Sequence, residues 1–258
     1  MDAIPWWGWV AIVLGALFTL PYWLGPVLIH GSHKMPVKPQ FDSLPLEGEV
    51  PSEVSEYFSE TGAEFEKLGF RKVARLLQDT FMPNVKTFID LWYHSQSGLG
   101  VISVAAYGTV KTPEGMKDTL QAKYVQFSAS FTDDSAVMTS NSATAEVFAP
   151  VEGKRHFKFR TDDLSELFRN HQKLAAHFGR GKTPKDPPTD PAGYLSESMT
   201  KELRAQIGTG YLYEEGDYFW PTWKGAILVV YKSLPPFKGW LQASELSNSQ
   251  KALQQAGG

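Results

Sequence analysis

"KYVQFSASF", residues 123–131, alternates without a break: Val125, Phe127, Ala129 and Phe131 are apolar, while Tyr124, Gln126, Ser128 and Ser130 are polar. Successive side chains of a strand point to opposite faces, so this pattern predicts a strand with one face on a core and the other wetter. "TDDS" follows as a turn and residues 136–141 return the chain. Upstream, residues 85–93 and 99–107 are rich in β-formers and joined by "HSQSG", a hairpin connection, with a shorter strand expected at 73–77. Downstream, "KRHFKFR" (154–160) alternates again. Sequential short strands with tight turns predict an α+β fold, an antiparallel β-sheet domain packed against two or three α-helices.

The helices come from apolar spacing. In residues 52–68, Val54, Phe58, Phe65 and Leu68 form a stripe, Pro51 and Ser52 stand at the entry, and Gly69 fits the exit. "TDDLSELFRNHQKLAAHFG" places Leu164, Leu167, Phe168, His171, Leu174, Ala175 and Phe178 on one face, with Thr161 or Asp162 as cap and Gly179 as terminator. A further helix is expected over 195–207. "GAILVVY" (225–231) reads as a buried strand, being β-branched and far too short to span a membrane.

The chain opens differently. Residues 4–26, "IPWWGWVAIVLGALFTLPYWLGP", hold no charged side chain. Residues 4–24 as a helix extend ~31 Å, matching a hydrocarbon core of ~30 Å. Trp6, Trp7 and Trp9 gather at one end and Tyr22 and Trp23 at the other, as interfacial aromatic belts do. Gly25-Pro26 is expected to end or kink the helix. No basic n-region and no small-x-small cleavage site accompany the run, so it reads as an uncleaved signal-anchor contacting the lipid bilayer through residues 4–24. Lys34 and Lys38 follow the span and no Lys or Arg precedes it, which puts the N-terminus outside and the soluble domain in the cytoplasm, on a single-pass cell-membrane protein.

The expected organisation is a transmembrane anchor (1–30), a Pro-rich stalk (31–51), an α+β domain (52–180), a linker (181–193), a C-terminal helix and strand completing that domain (194–240), and a flexible tail (241–258). His30 and His33 are read as interfacial polar residues in a non-helical stretch. With 258 residues, 42% hydrophobic and 21% charged, the composition is that of a globular protein, and a formal net charge of −3 argues against a nucleic-acid partner. The chain has no cysteine, which excludes disulfides, thiolate metal sites and thiol nucleophiles.

Known chemical motifs fail on spacing. "GRGKT" (179–183) has Ala176 where a P-loop needs its first glycine, and Pro184 obstructs the helix that would follow. No Gly-x-Ser-x-Gly elbow and no His-Glu-x-x-His occurs. Asp133-Asp134 and Asp162-Asp163 sit where aspartate shapes turns and helix starts. No catalytic residue, metal site or cofactor is expected. Two features remain. On a strand, Lys154, His156, Lys158 and Arg160 share one face, a basic stripe suited to an anionic ligand, an acidic membrane-protein partner or anionic lipid. In "YFWPTWKGAILVVYKSLPPFKGW" (218–240), Phe219, Trp220, Trp223, Phe237 and Trp240 interleave with Lys224, Lys232 and Lys238, a composition of membrane interfaces, with Trp220, Trp223 and Trp240 as contacts, or else of an aromatic subcore.

The functional expectation is a non-enzymatic binding or accessory domain held near the bilayer. The layout, a sheet with helices before and after it, resembles helix-grip pockets and implies as an alternative a pocket for a small hydrophobic or lipid-like ligand. A membrane-tethered hydrolase or transferase is the third reading, and it requires a cleft joining groups such as His94, His156 or Asp90.

Overall fold

Six helices and ten strands follow one another in the computed structural model, which describes residues 5–82, 84–112, 115–144, 148 and 150–257. Helix α1 (Trp6–Ser32) leads to two short strands, β1 (Met35–Pro36) and β2 (Asp42–Leu44), then to helix α2 (Ser52–Lys67). Strands β3 (Phe70–Met82), β4 (Val85–His94), β5 (Leu99–Thr112), β6 (Gly115–Ser130), β7 (Ala136–Ser140) and β8 (Lys154–Lys158) come next. The chain ends with α3 (Leu164–Phe178), α4 (Pro191–Gly208), β9 (Leu212–Glu215), β10 (Tyr218–Pro221), α5 (Trp223–Ser233) and α6 (Phe237–Gly257).

The fold is α+β with two sheets. The larger has seven strands in the order β2-β3-β4-β5-β6-β7-β8, and the smaller has the order β1-β10-β9. All neighbours are antiparallel except β7 and β8, so the large sheet is mixed rather than purely antiparallel. A two-to-five-residue hairpin would have returned the chain antiparallel; residues 141–153 between these strands are long enough for a crossover instead.

The alternation of 123–131 has the expected outcome. Val125, Phe127 and Ala129 are buried on the face covered by α2 and α3, where Phe65 lies 5.5 Å from Trp92 and 6.0 Å from Phe127, and Phe168 lies 5.2 Å from Phe127. Leu76, Ile89 and Val104 point to the opposite face and meet Ala192 and Leu195 of α4. The next turns of α4 put Met199 and Leu203 against Met35, Leu212 and Phe219. Helix α4 therefore joins the two sheets.

Several elements differ from the sequence expectation. Residues 225–231 are helical, not a strand. Apolar residues on every side leave no period to read in isolation, but Thr222 caps the helix by accepting from Gly225 N at 3.1 Å. The period is then clear: Ala226 and Val230 are buried, while Trp223, Ile227 and Tyr231 are exposed. Gly225 is required there, because a Cβ would sit 2.0 Å from Tyr211 O. Helix α1 runs through Pro21 and Pro26 to Ser32, so Gly25-Pro26 does not end it and His30 lies inside it. Helix α3 is capped by Asp163, which accepts from Ser165 N and Glu166 N, rather than by Thr161 or Asp162. Helix α4 starts earlier than expected, at Pro191, with Asp190 accepting from Gly193 N. The segment read as a stalk contributes β1 and β2, which pair with β10 and β3.

The segment read as a flexible tail is helix α6. Its Ala252, Leu253 and Ala256 pack on the core that α3 covers, and Ser249 Oγ accepts from Lys158 N at 2.8 Å on the outer edge of β8. A helix that covers an edge strand removes the exposed hydrogen-bonding row that would recruit another chain. Amides around Ser249–Leu253 should accordingly exchange with deuterium as slowly as those of α3; exchange mass spectrometry of the full chain checks this, and rapid exchange over 245–253 would contradict the packing.

Candidate functional site

The exposed apolar surface is concentrated on one structure, the pair α1 and α5. Among the described residues, α1 is the one helix long and apolar enough to cross a membrane. Trp6, Trp7, Trp9, Val10, Val13, Leu14, Leu17, Leu20, Trp23 and Leu24 are all exposed on it. Ile4, the first residue of the expected span, lies outside the described residues. Among the described residues, the contacts of α1 with the body come from its last turns, where Val27 and Leu28 nevertheless stay exposed. Gly25 packs on Val230, where a Cβ would come within 2.9 Å of the valine methyl. Tyr22 OH donates to Pro235 O, and the Tyr22 ring stands 5.1 Å from Tyr231. His30 Nδ1 bonds Pro221 O at 2.8 Å while its ring stacks on Trp223 at 4.3 Å.

The aromatic segment 218–240 divides between interior and surface. Phe219 is fully buried between the small sheet and α4. Trp220 is half-buried, 5.9 Å from the Lys34 ammonium, which sits 4.0 Å over Tyr218. Trp223, Phe237 and Trp240 are exposed, with Trp240 at 67%. Ile227 and Tyr231 join them on the same surface; the sequence reading missed both, although their i, i+4 spacing from Trp223 is the signal of a helical face.

The basic stripe is distributed among internal partners. Lys154 pairs with Glu202 of α4 at 2.5 Å and donates to Ser198. His156 Nε2 bonds Ser140 Oγ at 2.9 Å. Lys158 is nearly buried, donating to Thr144 O at 2.7 Å and pairing with Glu245 of α6 at 3.1 Å. Arg160 is exposed just beyond β8. Lys158 and Arg160 line a half-open recess of about 320 Å³ together with Asp162, Gln242 and Glu245. Equal numbers of acidic and basic side chains face this space, which removes the electrostatic bias toward anions that the isolated strand suggested.

A second recess, about 430 Å³ and more open, lies between α2 and residues 46–48, with Lys72, Arg75 and Trp92 among its lining. Behind it Asp90, 1% exposed, accepts from Arg75 Nε at 2.7 Å and Arg75 Nη2 at 2.8 Å, and Lys72 lies 2.5 Å away. Burial pushes the Lys72 ammonium below its ordinary value against the opposing pull of Asp90. Asp90, His94 and His156 line neither recess, and each is held locally, His94 by Ser97 at 2.9 Å. Among the described residues, no group of three His, Asp or Glu side chains is placed to hold a metal ion. His171 is a core histidine: its Nδ1 bonds Thr139 Oγ1 at 3.0 Å, its ring stacks on Phe127, and burial pushes it down to about 3.

Comparison with protein-family models, curated proteins and solved structures returns no match.

Two predictions follow from the buried polar groups. Replacing Asp90 by Asn leaves the Arg75 guanidinium without its carboxylate and should cost about 3–5 kcal/mol, read from the urea midpoint. The His171 imidazole takes up a proton near pH 6.5 when unfolded but only near pH 3 when folded. Its contribution is complete above about pH 6.5 and is lost as pH falls, by up to ~1.4 kcal/mol per unit. His171→Leu should flatten that part of the stability curve between about pH 6.5 and 4.5 relative to the parent, as measured by urea unfolding across this range.

Proposed function

We propose that this chain is a single-pass membrane-anchored protein whose α+β body serves as a non-enzymatic binding or accessory domain held near the cytoplasmic face of the bilayer. The observation that carries the reading is the uncovered apolar surface of α1. Of the stretch that qualifies as a span, within Val13–Ser32, 6% is buried, even though the body packs against its turns beyond Pro21. In water such a surface would cost ~25 cal/mol for each Å² left exposed; in lipid it costs nothing, and a helix satisfies its own backbone there.

Length supports the same division. The 27 residues of α1 extend ~40 Å, about 10 Å more than a hydrocarbon core. At the C-terminal end Gly25 and His30 pack on α5 while Val27 and Leu28 stay exposed, so the body covers one side of the surplus, and residues 6–24 are the part proposed to lie wholly in lipid. Lys34 and Lys38 follow the span, and Lys224 and Lys232 sit on the helix packed beside it, which favours a cytoplasmic body by the positive-inside bias. The catalytic alternative has less support, since Asp90 is committed to an ion pair with Arg75, His94 and His156 are held by Ser97 and Ser140, and none of the three lines either recess.

Extraction tests the anchor. Full-length protein should stay with the membrane pellet through a carbonate wash, and the double substitution Leu14→Arg, Leu17→Arg, at ~2.5–3.5 kcal/mol of insertion free energy per arginine, should release it. Recovery of the unmodified chain, unaggregated, in the aqueous fraction after detergent-free lysis would overturn the reading.

A further inference from the structure

We infer that the turn between α5 and α6, with the aromatic and basic side chains of residues 231–240, is a second contact with the bilayer, set at headgroup depth and favouring anionic lipid. This rests on α1 being the span, and adds where and how the body meets the lipid surface.

The depth follows from the packing of two helices. Along α1, Tyr22, Gly25 and His30 meet Tyr231, Val230 and Trp223 in turn. Eight residues separate the ends of each series, ~12 Å on either helix, so the axes run nearly antiparallel. As α1 descends toward its N-terminus, α5 descends toward its C-terminus. The segment 234–237 is thus the part of the body carried furthest along α1 toward the span: Tyr22 donates to Pro235 O, and its ring stands 6.1 Å from Phe237. That level is the aromatic end of the span, where Trp23 is 76% exposed.

The side chains at that level have the chemistry of an interface. Phe237 and Trp240 are exposed and touch edge to face at 5.5 Å, which makes one apolar cluster with Tyr231. Lys232 and Lys238 flank the turn. Two ammonium groups oppose placement in hydrocarbon, and two exposed rings oppose placement in bulk water; the headgroup layer accommodates both.

Charge distribution identifies the lipid. Residues 24–41 and 218–244 contain five lysines, at 34, 38, 224, 232 and 238, and none of the 28 acidic residues of the chain. The remainder then holds 20 basic residues against those 28 acidic ones. The first acidic residue met on leaving this zone along β10 is Asp217, whose carbonyl accepts from Val37 N, beyond His30 and Met35; Asp217 and Lys38 are therefore both further from the span. By the packing of α1 on α5, Lys232 and Lys238 belong to the level of Tyr22, whereas Lys224 lies at the His30 end of the seam and Lys34 and Lys38 beyond it; Lys232 and Lys238 are thus the lysines proposed to meet an anionic leaflet, where each contributes ~1 kcal/mol.

Absence of cysteine makes the test clean, since one introduced thiol is unique. A Cβ added at Gly15, Gly239 or Gly257 meets nothing within 4 Å. Full-length Gly15→Cys, Gly239→Cys and Gly257→Cys carry a nitroxide in vesicles of phosphatidylcholine with about one-third phosphatidylglycerol, a composition chosen for its negative surface potential. The ratio of collisions with oxygen to collisions with a nickel chelate reports depth. Gly15 should read as hydrocarbon. Gly239 should read as headgroup, severalfold above Gly257 at the other end of α6. The Gly239 value should shift toward water in pure phosphatidylcholine, and likewise when Lys232→Glu and Lys238→Glu are added.

A water-like Gly239 beside a deep Gly15 overturns this inference and leaves the anchor standing. A water-like Gly15 overturns the anchor itself. A Gly239 as deep as Gly15 overturns the headgroup placement, and indifference to phosphatidylglycerol and to the lysine reversals overturns the anionic preference.

Discussion

The contact between Gly25 of α1 and Val230 of α5 is the point on which the rest of the molecule's geometry turns. A residue without a side chain lets the two helices approach closely, and no larger residue fits without moving the valine. Around that approach, Tyr22 closes one end of the seam on Pro235 O, and His30 closes the other on Pro221 O and Trp223. An apolar helix joined to a body by a free linker would say nothing about how the body sits. Here the helix is continued into the body and packed along α5, so the direction of the rod and the surface facing lipid in the proposed arrangement are set together. The two prolines do not break the rod. Pro26 removes one backbone bond, but the turns that follow are held by α5 rather than by their own hydrogen bonds alone.

Behind that seam, α4 does for the two sheets what α5 does for α1. Its first turns meet Leu76, Ile89 and Val104, and its later turns meet Leu212 and Phe219. The small sheet cannot stand alone: it has three strands of two to four residues and gains its core from α4. Anything that fixes α1 in space is therefore transmitted through α5, β10 and α4 to the large sheet. On the far edge of that sheet α6 closes β8 through Ser249, and since α6 begins beside Tyr22, one helix connects the seam to the outer strand.

Charge is used in two ways in this protein. Inside and between elements it is paired: Arg75 and Lys72 on Asp90, Lys154 on Glu202, Lys158 on Glu245. Breaking such a pair is costly because the survivor is left out of water, so these groups make poor ligands for a transient partner. The two stretches that form the seam, residues 24–41 and 218–244, carry lysines and no acidic residue. The aromatic rings there are shared between Phe219, which fills the core of the small sheet, and Trp223, Phe237 and Trp240, which remain outside. Of the two readings of residues 218–240, burial in a subcore describes Phe219, while the exposed rings are the ones on which the proposed interface rests.

What could be read locally was legible in the sequence. The alternation of 123–131, the hairpin across residues 94–98, the amphipathic stripes of α2 and α3, and the uncharged opening run all depend on the period of one element, which neighbouring residues alone determine. What failed was decided by partners distant in the chain. Residues 225–231 lack a readable period because both their faces are apolar; only the packing of the fold buries Ala226 and Val230 and leaves Trp223, Ile227 and Tyr231 exposed. Residues 241–257 look like a loose polar tail because few apolar side chains mark them, yet the β8 edge offers an unpaired N–H that Ser249 accepts. The basic stripe of β8 is real as a strand pattern, but Glu202 and Glu245, which neutralise it, stand 48 and 87 residues away in sequence. Sequence by itself determined which segments are apolar and with what period; the tertiary structure decided which apolar faces are covered and which charges are neutralised, because both are properties of pairs of surfaces brought together by the fold.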